Sequence, residues 1–273
     1  MRDPIASERM VFVGGLHRSG TTPLAQALAS HADISGLSGT GVSENEGQHL
    51  QNVYPKVRSL GGMGRFARHR RAHLTERSFL VSPESRAALL ESWQPYWDLD
   101  KKFLLEKSPA NLVMGRFLNA LFPGSALVVV IRHPVAVALA LEKWNPTIVA
   151  KNGRRRVTMV GMMENWVRAH TLLREDAAHL TRLKAVRYED LVQNPTAELG
   201  AIGDFLGLES PPDASTIHSG RSRTYAERWD SLANGSLVQR RTRQRISERF
   251  GDAIATFGYD VDSLDEVSPW SGI

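Results

Sequence analysis

The stretch Val11-Phe12-Val13-Gly14-Gly15-Leu16-His17-Arg18-Ser19-Gly20-Thr21-Thr22 decides how the rest of this chain is read. Met10 to Val13 is an apolar run of the buried-strand kind, Gly14-Gly15 breaks it, and Thr21 to Leu28 resumes with helical apolar spacing. Strand, glycine-rich loop and helix aim backbone N–H groups and a helix N-terminus at a phosphate. From Gly15 the letters nearly form the phosphate loop G-x-x-x-x-G-K-[ST]. Gly15 and Gly20 are in register and Thr22 holds the Ser/Thr position, but Thr21 stands where the lysine belongs. That lysine normally reaches the β/γ-phosphates of a nucleoside triphosphate, so its absence speaks against ATP or GTP hydrolysis and for a different phosphate ligand. Taken alone, the loop also fits a plain strand-to-helix turn.

Outward from the loop, other strand ends deliver cations. Lys102 to Leu105 reads as a buried strand ending in Glu106-Lys107-Ser108-Pro109, with Pro109 opening a helix from Asn111 to Phe122. Ala126 to Ile131 is the strongest strand pattern, continuous and β-branched as in a central parallel strand, and it ends in Arg132-His133-Pro134. A metal-binding triphosphate site would place an aspartate there to hold Mg²⁺; here the strand delivers an arginine. A further strand, Lys184 to Tyr188, runs into Glu189-Asp190-Leu191. Cations at the C-terminal ends of strands lie where open α/β sheets form their ligand crevice.

Between these strands, His31 to Ser43 reads as a glycine-rich polar connection, followed by Glu44-Asn45-Glu46-Gly47-Gln48-His49. Its carboxylates suit a solvated helix start, or a general base with its supporting shell. Arg58 to Arg77 is basic, either a solvated face or a mobile flap over an anionic acceptor. Trp93, Tyr96 and Trp97 read as core rather than a substrate platform. From Val160 to Leu183 an amphipathic helix carries Met163, Trp166, Val167, His170 and Leu173 on one face, His170 as a satisfied core histidine. Trp144-Asn145-Pro146 and Lys151 to Arg156 form a basic loop, and His218 to Trp229 reads as a basic, hydroxyl-rich loop. Arg240 to Arg249 belongs to a last amphipathic helix.

The chain has 273 residues, 42% of them hydrophobic, enough for a large core in one α/β domain. A net charge of +5 suits polyanionic ligands but is mild for a dedicated nucleic-acid binder. The absence of cysteine excludes disulfides, thiol nucleophiles and cysteine-ligated metals. Met1 to Met10 lacks the apolar core of a signal peptide and no run approaches a membrane span, so the expectation is a soluble, cytoplasmic protein.

In their order and spacing, Arg18 to Thr22, Lys107-Ser108-Pro109 and Arg132 together resemble the sulfotransferases that use PAPS (3′-phosphoadenosine 5′-phosphosulfate). The likeness is to the bacterial type, nearest the tyrosylprotein and carbohydrate branches, and it extends from Val11 to Tyr259. It implies an α/β fold of the P-loop type, a three-layer sandwich with a central, mostly parallel sheet, as a single domain over 1–273 with its core at about 10–260. It also implies sulfuryl transfer from PAPS to an acceptor hydroxyl or amine. Gly15, His17, Arg18, Ser19, Gly20, Thr21 and Thr22 would cradle the 5′-phosphosulfate, and Lys107 would stabilise the leaving oxygen. Glu46, or next to it Glu44, would take the acceptor proton. Arg132 would select the 3′-phosphate and Tyr188 would lie near the adenine. Arg228, beside Trp229, would touch cofactor phosphates. The family usually adds a serine eight residues after this arginine; that position is Ala140, and Ser222 and Arg223 are candidates to replace it. No metal is implied, since cationic side chains supply the charge. A small molecule, carbohydrate or peptide remains open as acceptor, with no nucleic acid as partner. The alternatives are an ATP-dependent P-loop kinase, which lacks its lysine and aspartate here, and a non-catalytic anion-binding module.

Overall fold

The computed structural model describes residues 5–143, 157–218, 221–264, 266–270 and 272–273, without the side chains of Arg221 and Ser222. The basic loop expected at Trp144 to Pro146 and Lys151 to Arg156 lies outside these residues. A parallel sheet of five strands carries the fold: β1 (Met10–Gly15), β2 (Ile34–Gly36), β3 (Phe103–Lys107), β4 (Ala126–Ile131) and β5 (Leu183–Arg187), in the spatial order β2-β3-β1-β4-β5. The register sets Val13 opposite Lys107, Gly15 opposite Val130, and Ile131 opposite Arg187. The strands' C-terminal ends therefore share one edge of the sheet.

Alternate side chains of a strand face opposite sides of the sheet, and both sides here are apolar. Val11, Val13, Val128 and Val130 pack with α1 (Thr21–Ala29), α6 (Tyr188–Gln193) and α7 (Pro195–Leu206) through Leu24, Leu28, Leu191, Leu199 and Ile202. Phe12, Leu127 and Val129 face the other layer. That layer holds α2 (Pro83–Trp93), α3 (Gly115–Leu121), α4 (Pro134–Glu142), α5 (Met159–Ala177), α8 (Arg221–Ala233) and α9 (Leu237–Ala255), with Trp93, Phe117, Trp166, Trp229 and Phe250 in its core. The result is a three-layer α/β sandwich.

The crossover after β1 runs past β3 to β2, whereas the one after β4 runs outward to β5. Connections that leave adjacent strands in opposite directions open a crevice between them, here between β1 and β4. Loop 16–20 and Arg132 stand on its two sides.

Some boundaries differ from the sequence reading. β3 extends to Lys107, so that lysine is the strand's last residue. The segment after it is a 3₁₀ turn, Pro109–Val113, before α3 begins at Gly115. Ile34–Gly36, read as part of a connection, is a parallel edge strand too short and glycine-bearing to show alternation. The stretch read as a loop before Trp229 is the helix α8. Its mark was Tyr225 and Trp229, one turn apart, 8% and 0% exposed on an otherwise polar segment. His170 is buried as expected, with Nδ1 bonded to Trp166 O at 2.8 Å, while Nε2 has no partner among the described residues. Burial holds this imidazole down at about 4. Among the described residues no helix is long and apolar enough to cross a membrane.

Candidate active site

β1 ends at Gly15, and α1 begins after Leu16 to Gly20. Ser19 N donates to Leu16 O at 3.0 Å, folding the loop back beneath the helix N-terminus. Gly20, the residue before α1, has φ 100° with Tyr188 directly behind it: a Cβ there would lie 2.5 Å from the ring. Only glycine meets both demands. Arg18, not a glycine, also sits at positive φ (72°), a conformation that costs energy and recurs where a loop is shaped around a ligand. The first N–H groups of α1 have no partner inside the helix, and Thr21 and Thr22 supply them at the mouth of the crevice. Ser19 Oγ is fully buried in this loop and has no partner among the described residues. A loop of N–H donors, hydroxyls and Arg18 fits an anionic phosphosulfate in kind.

The cation missing from the loop arrives from the neighbouring strand. Lys107 Nζ, at the end of β3, lies 3.3 Å from Thr22 Oγ1 and 3.2 Å from Glu46 Oε1. Both members of this ion pair are buried. Segment 43–49, read as a helix start, is instead a pair of 3₁₀ turns, Ser43–Asn45 and Gly47–His49, with Glu46 extended between them. That break turns the two carboxylates apart. Glu44 is exposed and Glu46 points inward. Gln48 Nε2 donates to Glu46 Oε2 at 2.6 Å, and His49 Nε2 lies 3.5 Å from the same oxygen. Burial by itself would raise the Glu46 carboxyl; His49, the Lys107 charge and Gln48 outweigh it and hold it at about 2. His17, from the phosphate loop, packs edge-on against Phe66, 5.9 Å between centroids. Desolvation, reinforced by the Lys107 charge, keeps the His17 imidazole neutral at about 4. Its Nδ1 has no partner among the described residues.

Across the crevice, Arg132 follows β4 and is 5% exposed. Its guanidinium lies 4.1 Å over the Tyr188 ring and 5.5 Å from the Tyr225 ring, and Nη1 donates to Arg18 O at 3.0 Å. The cation thus ties the phosphate loop to α6 and α8. Trp166 Nε1 holds the Arg132 carbonyl at 2.9 Å. Behind it, the buried Glu189 accepts from His133 N at 3.0 Å and from the Tyr259 hydroxyl at 2.9 Å. Burial raises this carboxyl. Glu189 and Tyr259 carry no signal of their own in the sequence; only their convergence in space reveals them.

The other expected positions lie on α4 and α8. Ala140 is buried in α4 and brings no hydroxyl. Arg228 Nη2 is engaged with Glu142 Oε2 at 2.8 Å. Arg223 is paired one turn along with Glu227 on a solvated face, its side chain 84% exposed. Ser222 is on α8, but its side chain lies outside the described residues. The basic stretch after Arg58 is anchored rather than loose: Leu60, Phe66, Ala67 and Ala72 are buried, and Arg68 pairs with Glu164 at 2.6 Å.

Comparison with known proteins agrees with this architecture. The chain is 24% identical over 167 residues to the omega-hydroxy-beta-dihydromenaquinone-9 sulfotransferase Stf3 of Mycobacterium bovis, covering 59% of this chain and 42% of that protein. It is 22% identical over 212 residues to protein-tyrosine sulfotransferase 2 of Gallus gallus, covering 73% of this chain and 51% of the relative. The chain thus spans about half the length of these relatives or less. Among solved structures, sulfotransferase STF1 of Mycobacterium tuberculosis H37Rv superposes with a TM-score of 0.52 at 16% identity, over 89% of this chain and 76% of that one, which supports the shared fold. A sequence model of the sulfotransferase family matches residues 10–212, and the chain belongs to that family.

Proposed function

We propose that this protein, as a single domain, transfers the sulfuryl group of PAPS to an acceptor hydroxyl or amine, with Glu46 as general base. The observation that carries the reading is Lys107 Nζ, held between Glu46 Oε1 and Thr22 Oγ1 at 3.2 and 3.3 Å at the crevice edge. One cation there touches both the acid that would take the acceptor proton and the phosphate loop. PAPS would supply the sulfuryl group and a phosphate leaving group, held by the loop N–H groups, Arg18 and the hydroxyls of Ser19, Thr21 and Thr22. Arg132 would pair with the 3′-phosphate, and Tyr188, whose ring lies under the guanidinium, would border the adenine.

A carboxylate at about 2 is a weak base, because effective general bases lie near the working pH. The Lys107 contact answers this. When Lys107 turns toward the leaving oxygen, Glu46 loses a cation that depresses it, and its proton affinity rises. Base strength and leaving-group stabilisation are thereby linked through one ammonium group. Positioning and charge neutralisation do the rest, as in phosphoryl transfer. The two relatives are named for a hydroxylated dihydromenaquinone and for protein tyrosine. The acceptor class proposed here is limited to what Glu46 can deprotonate.

Calorimetric titration with PAP, the desulfated product, beside 5′-AMP and ATP with and without Mg²⁺, tests this reading. Tight PAP binding that collapses with 5′-AMP and in Arg132→Ala is expected. Preference for Mg-ATP, with no discrimination for the 3′-phosphate, would overturn it.

A further inference from the structure

Glu106 precedes Lys107 on β3, so the two side chains leave the strand on opposite faces. Glu106 is fully buried, with one oxygen accepting from Ser108 Oγ at 2.5 Å and the other from Asn111 Nδ2 at 2.6 Å. The Ser108 hydroxyl does more: having given its proton to Glu106, its oxygen accepts from the Gln48 backbone N–H at 2.9 Å. The Gln48 side chain in turn bonds Glu46. The turn is also pressed against the carboxyl, because a Cβ on Gly47 would lie 2.6 Å from Glu106 Oε1, and Trp93 Nε1 pins Gly47 O at 3.1 Å.

We infer that Glu106 is a positioning residue: through Ser108 it orients the Gly47-Gln48 peptide and so holds Glu46 against Lys107. The inference builds on the role proposed above for Glu46. A hydroxyl has one proton to give. With Glu106 accepting it, the lone pairs of Ser108 Oγ face Gln48 N–H; without that acceptor the hydroxyl turns and competes for other partners. Strand β3 thus presents its lysine on one face and fixes the lysine's partner from the other. Such an arrangement holds a loop-borne acid on a rigid element, which loop residues alone do poorly.

Amide hydrogen exchange at Gln48, with no nucleotide present, reads this device directly. Ser108→Ala and Glu106→Leu are expected to speed that exchange about tenfold or more, leaving amides of β1 and β4 unchanged, whereas Ser108→Thr retains protection. In turnover, Ser108→Ala is expected to lower kcat about tenfold with PAP affinity within twofold of the parent. Wild-type protection of Gln48 in Glu106→Leu would overturn the inference. Should Glu106→Leu fail to fold, Ser108→Ala decides alone, and unchanged exchange there is equally fatal. Absence of sulfuryl transfer by the parent protein would sink the proposed function, yet leave the exchange result standing as a statement about this turn.

Discussion

The two sides of the crevice hold their cations in opposite ways. On the β1–β3 side, Lys107 is held by polar partners that chemistry can exchange, the Glu46 carboxylate and the Thr22 hydroxyl. On the β4–β5 side, Arg132 lies on the Tyr188 ring, near Tyr225, and is bonded to the Arg18 carbonyl. Rings and backbone carbonyls do not take up protons at working pH. The first arrangement suits a cation that must shift its allegiance during a reaction, and the second suits one that must recognise a phosphate and stay put. Each has a buried carboxylate nearby whose bonds go to protein donors: Glu106, next to Lys107, to Ser108 and Asn111, and Glu189, near Arg132, to His133 N and Tyr259.

Kinetics on each side tests this division of labour most directly. Glu46→Gln is expected to lower kcat by about 10²–10⁴-fold, the usual span for a general base. Lys107→Met is expected to lose about 10²–10³-fold, as when a single donor to a developing oxyanion is removed. Neither should change PAP affinity more than a few-fold. Arg132→Ala should do the reverse. If Arg132→Ala lowered kcat as severely as Glu46→Gln while sparing affinity, the division of labour would be wrong.

Lys107→Met should also change the pH dependence. Its ammonium is one of the groups that depress Glu46 to about 2, after burial, which acts in the opposite direction, and the His49 contact. Removing the cation must raise the carboxyl. The acidic limb of the kcat/KM profile, below the practical range in the parent, should therefore move upward into it. A limb that stays put would show that Lys107 does not govern the base.

On the other side, Arg132→Lys keeps the charge but loses the planar group that lies on Tyr188 and reaches Arg18 O. Arg and Lys are not equivalent at stacked sites. An expected weakening of PAP binding of about tenfold, by calorimetry, corresponds to about 1.4 kcal/mol. Unchanged affinity would mean that the rings contribute nothing to recognition.

The sheet and its ligand edge were legible in the sequence because strand interiors are read by apolar continuity. Gly15, Lys107 and Arg132 stand at strand ends, which the pattern locates within a residue or two. What the sequence concealed is geometry across the chain. Glu44 and Glu46 are equivalent as letters; only the break between the two 3₁₀ turns turns one out and the other in. Glu106 sat in plain view beside Lys107, but its bonds to Ser108 and Asn111, and the link through Ser108 to Gln48 some sixty residues away, are recognisable only in the folded chain. Helix α8 was hidden by its polar composition, although Tyr225 and Trp229 carry its buried stripe. Arg228, expected from the resemblance to touch cofactor phosphates, pairs with Glu142 on α4, a contact that no sequence spacing announces.

Titration separates the two carboxylates that flank Lys107. Glu46 is held at about 2, whereas burial, only partly offset by Ser108 and Asn111, pushes Glu106 up to about 7. A carboxyl raised on folding binds its proton more tightly in the native state. Its contribution to stability is full below the unfolded value near 4.5 and is lost as pH rises through about 7. Glutamine at this position does not titrate. The melting temperature of Glu106→Gln relative to the parent should therefore climb between pH 4.5 and 7, by about 2–4 °C for each kcal/mol of linkage. Glu46→Gln should show the opposite trend, its deficit growing as pH rises from about 2 toward 4.5. Parallel curves for the two variants would mean that Lys107 and its polar neighbours do not distinguish the two faces of β3, and the contrast between an exchangeable ion pair and a fixed anchor would fail on this side of the crevice.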